Sequence, residues 1–197
     1  MMGRLVIATS NQGKTREINR IVAELGFTVS SLLDVNDPPE IIEDADSFEG
    51  NAVKKARIVS AHYGCDSLAD DSGLVVDALN GAPGVHSARY GGPGLTDRER
   101  YEKLLAALTD VPESDRTARF ECALAFVSPG REPAIFRGTV EGRIASGPTG
   151  ANGFGYDPIF IPEGLGISMA ELDVDQKKHI SHRGRALAAF ANWLRKQ

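Results

Sequence analysis

The sequence predicts an α/β fold, a mixed β-sheet flanked by helices in a single domain. Three observations predict it. A continuous apolar run at residues 5–8 passes through a polar loop into apolar residues at helical spacing, a βα unit whose strand is buried on both faces. A second, longer helical pattern from Phe48 to about Tyr63 precedes the apolar stretch that begins at Ser67. Farther on, Phe120, Cys122, Leu124 and Phe126 alternate along a strand, and a turn joins it to the extended run 134–144 as an antiparallel partner, which makes the sheet mixed.

Composition bounds the function. The 197 residues, 42% hydrophobic and 25% charged, suffice for one full-sized core and show no sign of disorder. A net charge of −5 argues against a broad basic face for duplex DNA or an anionic membrane and leaves a small phosphorylated ligand open. Cys65 and Cys122 lie far apart without a CxxC pattern, so they give no zinc signature and read as reduced thiols of a cytoplasmic protein. The apolar run at 5–8 is far shorter than a signal-peptide core, and no later stretch is long enough to span a bilayer. Neither a nucleic-acid nor a membrane partner is expected.

Taken in order, the first helix carries Ile18, Ile21, Val22 and Leu25 on one face and ends at Gly26. The loop before it, Thr9, Ser10, Asn11, Gln12, Gly13 and Lys14, delivers hydroxyl, amide and ammonium donors to a helix N-terminus, where free backbone N–H groups favour an anion. It is not a P-loop, because Ala8 stands where that pattern needs glycine. A second strand falls near Phe27 and Val29, and an acidic segment, 34–49, follows with Pro38 and Pro39 holding it extended. Ser47 caps the next helix and Gly64 stops it; Ala52, Ala56 and Val59 form its apolar stripe, while Asn51 and Lys55 share another face that could serve a phosphate.

The central stretch is SLADDSGL, residues 67–74, where the strand is expected to break into a turn at Asp70 and Asp71. Asp71 reads as the centre of a magnesium-dependent phosphate site with Asp70 as its orienter, and the acidic segment could supply a second carboxylate for a hard cation. Residues 74–79 form another short element, and NGAPG marks a sharp break. Thr96 and Glu99 make a capping box for a helix with Tyr101, Leu104, Leu105 and Leu108 inward. The glycine-dense loop 147–158 brings backbone close to a ligand, with Phe154 and Tyr156 as planar faces for a base. Lys177, His182 and Arg183 precede or open the final helix, Ser181 is its expected N-cap, and cations in a first turn, against the helix dipole, point to a ligand reason for them.

Four stretches in this order, TSNQGK, LADDSGL, GFGYDPIF and ISHRG, resemble the Ham1-like inosine triphosphate pyrophosphatase family, the non-canonical purine NTP (XTP/dITP) diphosphatases. The resemblance runs from the first strand to the last helix. It implies hydrolysis of ITP, dITP and XTP to the monophosphate and pyrophosphate with Mg2+, in a homodimer of elongated subunits whose two lobes flank a central cleft. By the same resemblance Asp71 is the proton acceptor and a metal ligand. Thr9, Ser10, Asn11, Gln12, Gly13 and Lys14 contact the triphosphate, Ser72 contacts substrate, and Asn51 and Lys55 match an Asn-Ala-x-x-Lys helix. Phe154, Gly155, Tyr156 and Asp157 match the base-side segment, and Lys177, His182 and Arg183 match the remaining nucleotide contacts. Glu43 best matches the second metal ligand, with Asp44 as the alternative register, although Ala45 and Asp46 replace a glycine-containing turn and Gly50 replaces a frequent glutamate. Arg183, or the backbone near His182, is expected to donate to the 6-keto oxygen that adenine lacks. Two other readings stand beside this one: a Maf-type house-cleaning pyrophosphatase and a non-catalytic nucleotide sensor.

Overall fold

The structure, a computed structural model, describes residues 3–196. Six strands form one sheet in the order β2-β1-β3-β4-β5-β6, with β1 Arg4–Ile7, β2 Thr28–Ser31, β3 Asp66–Val76, β4 Thr117–Val127, β5 Ala134–Ile144 and β6 Phe160–Pro162. β1 pairs in parallel with both β2 and β3, whereas β5 and β6 are antiparallel. The six residues between β4 and β5 are too few for a parallel crossover, so that neighbouring pair is antiparallel as well. The expected mixed sheet is therefore present. Five helices accompany it among the described residues: α1 Gln12–Val22, α2 Phe48–Tyr63, α3 Asp97–Ala107, α4 Val174–Ile180 and α5 His182–Leu194.

The chain divides into two compact units, 1–71 with 122–138 and 183–197, and 72–121 with 139–182. In the first unit, side chains alternate along each strand and so build a core on each sheet face. Leu5, Ile7, Leu68, Cys122, Leu124 and Phe126 face α1 and α5, where Ile18, Val22, Leu187 and Phe190 meet them. Val6, Ala8, Ala69, Ala123, Ala125 and Val127 face α2 and its stripe of Ala52, Ala56 and Val59. The small residues on this second face let α2 lie close to the sheet. The second unit buries Leu74, Val76, Leu104, Leu108, Phe120, Ile144, Ile159 and Phe160 in a core of its own.

Local signals explain most boundaries. Ser47 Oγ accepts the Gly50 N–H at the start of α2, and Gly64, at φ +61°, ends it in a left-handed conformation that costs glycine nothing. Thr96 and Glu99 form the expected reciprocal capping box of α3. Two expectations are corrected. The strand does not break at Asp70 and Asp71; β3 runs on for eleven residues to Val76, and only a short 3-10 turn, Asp77–Leu79, follows. Lys177 lies inside a helix, α4, opened by Asp173 and Gln176 as a second capping box. Ser181 separates the two helices: its N–H donates to the Lys177 carbonyl at the end of α4, and it stands in extended backbone directly before His182, at the position expected for the N-cap of α5.

Candidate active site

Because neighbours along a strand point to opposite faces, Asp70 continues the row of Leu68 and Asp71 that of Ala69. The two carboxylates thus meet different helices. Asp70 is fully buried: its Oδ1 lies 2.5 Å from the Lys14 ammonium, and its Oδ2 accepts from Arg183 Nε at 2.9 Å and from the Cys122 thiol at 3.0 Å. Burial alone would push this carboxyl up, but the Arg183 and Lys14 charges outweigh it and hold it well below the ordinary carboxylate range. Asp70 is thus held in its charged form with donors on both oxygens.

Asp71, 6% exposed, faces α2. Its Oδ1 lies 3.0 Å from Lys55 Nζ and its Oδ2 accepts from Asn51 Nδ2 at 3.2 Å. Here burial dominates and the neighbouring Glu43 adds to it, so the carboxyl is raised above its ordinary value despite Lys55 and Lys14. Two adjacent carboxylates thus carry opposite shifts, set by their different surroundings. The reading of Asp70 as orienter of the same group is corrected by this geometry, since its side chain lies on the other face of the strand.

Glu43 Oε2 reaches the same Lys55 ammonium at 3.3 Å, so Glu43 and Asp71 converge on one cation position. Asp44 instead pairs with Lys54 at 2.5 Å, which favours Glu43 in the choice of register. Among the described residues no three His, Cys, Asp or Glu side chains cluster as a metal cage. Two oxygen-donor carboxylates nevertheless suit a magnesium ion, which takes one or two from the protein and fills its shell with waters and phosphate oxygens.

The loop between β1 and α1 keeps Ser10, Asn11 and Gln12 exposed. Asn11 is the N-cap of α1, its side chain accepting the Lys14 N–H at 3.0 Å, and its own N–H donates to Thr9 Oγ1 at 3.2 Å. Gly13 and Lys14 lie in the first helical turn, so the loop presents a helix N-terminus and an ammonium together.

Arg183 is 2% exposed, held by Asp70 and by Glu17 Oε2, which accepts from Nη1 at 2.5 Å. These carboxylates give an internal reason for a cation in the first turn of α5, where the dipole disfavours one. Glu17 and Cys122 were not singled out from the sequence. Glu17 sits one turn after Lys14 on α1 and was legible on that ground, whereas nothing local marks Cys122.

In the second unit, Asp157 Oδ2 accepts both the Phe154 N–H and the Lys177 ammonium at 2.8 Å, and Lys177 Nζ lies 4.9 Å from the Phe154 ring centre. Gly153, at φ +78°, is required, since a Cβ there would stand 2.1 Å from that same oxygen. The Gly155 N–H donates to Asp97 at 2.7 Å. Tyr156 departs from the expectation of an open planar face: it is buried in the core of this unit, its phenol donates to the Ser87 carbonyl at 2.9 Å, and burial raises its pKa. His182 is buried and stacks on Phe120 at 4.8 Å and 13°. Ser72 follows Asp71 directly in β3 and is half-buried.

Residues 5–193 match the model of the Ham1 family. The chain is 50% identical over 193 residues to a dITP/XTP pyrophosphatase of Geobacter sulfurreducens, covering 98% of this chain and 97% of that one. It is similar to the structure of a HAM1 protein from Coxiella burnetii, with TM-score 0.90, 41% identity and all of both chains covered. It also resembles the crystal structure of a nucleoside-triphosphatase, dITP/XTP pyrophosphatase from Mycobacterium abscessus, at TM-score 0.78 and 46% identity over 96% of this chain and 98% of that one. Matched over nearly its whole length in both sequence and fold, this chain belongs to the Ham1 family.

Proposed function

We propose that this chain hydrolyses the non-canonical purine nucleoside triphosphates ITP, dITP and XTP to the monophosphate and pyrophosphate, in a magnesium-dependent reaction, as a cytoplasmic homodimer. The observation that carries this reading is Asp71, a buried carboxylate of raised pKa set against Lys55, Asn51 and Glu43. Its relatives from Geobacter sulfurreducens and Shouchella clausii are named dITP/XTP pyrophosphatases, which supports the substrate class. That no helix among the described residues is long and apolar enough to cross a membrane is consistent with it.

Cleavage between the α and β phosphates needs a positioned water, neutralised phosphate oxygens and a stabilised leaving group. Asp71 orients the water and accepts its proton, and a carboxyl raised by burial is a better acceptor than an exposed one. Lys14 and Lys55 neutralise phosphate charge, and the donors of Thr9, Ser10, Gln12 and the α1 N-terminus receive the phosphate chain. Magnesium, held by Glu43 and Asp71, would supply Lewis-acid neutralisation of the phosphate oxygens. On the base side, Phe154 stacks and Lys177, fixed by Asp157, offers a donor that a 6-keto purine satisfies and adenine does not.

The test is magnesium-dependent pyrophosphate release from ITP beside ATP and GTP, with orthophosphate measured in the same tubes. Pyrophosphate from ITP far above the other two is the expected outcome. Orthophosphate instead would place the attack at the terminal phosphate, and no release at all would favour a nucleotide sensor.

A further inference from the structure

The sequence suggests Asn51 as a phosphate contact, yet the residue is 1% exposed and its carboxamide is engaged at both ends within the protein. Oδ1 accepts the Ala45 N–H at 3.0 Å, and Nδ2 donates to the Ala45 carbonyl at 3.4 Å and to Asp71 Oδ2 at 3.2 Å. An amide has two donor hydrogens and one acceptor oxygen. Here each faces a protein partner, and those partners belong to two segments: the backbone of the acidic loop and the carboxylate of β3. Glu43 stands two residues before Ala45 and converges with Asp71 on the Lys55 ammonium.

Gly50 makes the same approach possible from the preceding position of α2. A Cβ placed at Gly50 would lie 2.9 Å from the Ala45 Cβ and 3.1 Å from Ser47 Oγ. Ala45 therefore closes down on the helix over a residue that has no side chain, and Asn51 pins its backbone there. The alanine in the loop and the glycine in the helix are one steric fit rather than two unrelated departures.

We infer that Asn51 is a positioning residue: it clasps the Ala45 backbone to Asp71 and thereby sets Glu43 and Asp71 at the spacing of one divalent cation, with Gly50 supplying the room. The inference rests on the pyrophosphatase reading for its kinetic arm and on geometry alone for its structural arm.

The first measurement uses the wild-type protein without metal or nucleotide. The Ala45 amide is protected from hydrogen exchange; exchange at the rate of a free loop amide overturns the clasp. The second uses Asn51→Ala. The magnesium concentration for half-maximal pyrophosphate release from ITP rises about tenfold, the usual effect of losing an outer-shell partner. Mn2+ binding by the nucleotide-free protein weakens by a similar factor, while KM for ITP at saturating magnesium stays at its wild-type value. A raised KM for ITP with an unchanged metal requirement would make Asn51 a phosphate ligand and overturn the inference. Should Asn51→Ala fail to fold, Gly50→Ala decides: its methyl pushes Ala45 away and raises the metal requirement, and Ala45→Gly in the same chain restores it. Failure of that rescue overturns the inference. If the wild type releases no pyrophosphate, the functional reading falls, and the exchange and Mn2+ measurements still decide the clasp.

Discussion

Asp70 and Asp71 are the same residue type at adjacent positions, and opposite consequences follow from replacing each. Asp70 lies between Lys14 and Arg183 with no exposure at all. Removing its charge in Asp70→Asn leaves two cations facing a neutral amide, and breaking a buried pair in this way costs about 3–5 kcal/mol. An exposed pair such as Arg98–Glu102 is screened by solvent and contributes far less by comparison. Urea denaturation of Asp70→Asn is expected to show that large loss, and a midpoint near wild type would mean that the cations find other anions. Asp71→Asn is different. Burial already disfavours its charged form, Glu43 remains to pair with Lys55, and an amide still fits the site. The expected outcome is a stability close to wild type with turnover of ITP lowered roughly 10²–10⁴-fold, the range for losing a general base. Turnover within a few fold of wild type would remove Asp71 as proton acceptor. The pair of measurements separates the fixed anion from the reacting one.

The same two residues mark where local sequence stops being informative about an element. α2 was legible to the residue, because Ser47, the apolar stripe and Gly64 all lie within one contiguous stretch. β3 was not. Adjacent aspartates, then Ser72 and Gly73, favour a turn on local grounds, and what keeps them in a strand is distant: Lys14 from α1, Lys55 from α2 and Arg183, 113 residues away on α5. α4 is marked locally, since Asp173 and Gln176 spell a capping box just before Lys177. Within the candidate site, the loop before α1 was legible as polar donors at a helix N-terminus and the acidic pair as two adjacent carboxylates, although their place in the middle of a strand was not. The commitment of Arg183 to Asp70 and Glu17, and of Asn51 to Ala45, depended on tertiary placement. Gly73 carries the continuation of β3 and gives a test at this scale. A Cβ there would meet Ser87 Oγ at 2.3 Å and the Gly84 carbonyl at 2.5 Å, and that hydroxyl already accepts the Leu74 N–H and donates to Gly84. Backbone cannot yield as a flexible side-chain tip does, so Gly73→Ala is expected to cost about 1–3 kcal/mol, as overpacking does. Gly147→Ala, with nothing within 4 Å, stays within about 0.5 kcal/mol and is the control. Equal melting temperatures for the two would show that β3 has room to shift.

Each of the two units has its own core, yet neither is a continuous piece of chain. The boundary is crossed four times, after Asp71, Glu121, Gly138 and His182. Three of these crossings fall inside β3, β4 and β5, and the fourth falls at the start of α5. A strand half in one unit cannot unravel without pulling on its other half, because no linker separates them. The catalytic proposal is bound to this connectivity, since Asp71 ends one segment and Ser72 begins the next. We propose that the chain unfolds as a single domain. Trp193, the only tryptophan, packs with Phe126, Phe136 and Phe190 in the first unit and reports on that unit alone. Far-UV circular dichroism reports on the helices and strands of both. Urea transitions followed by the two signals are therefore expected to superimpose, the mark of a two-state transition. A tryptophan transition displaced from the dichroism one would show that the first unit melts independently and that the four crossings do not couple the cores. In that event the loss in Asp70→Asn, whose ion pairs lie within the first unit, would appear in the fluorescence transition and leave the remainder of the dichroism change in place.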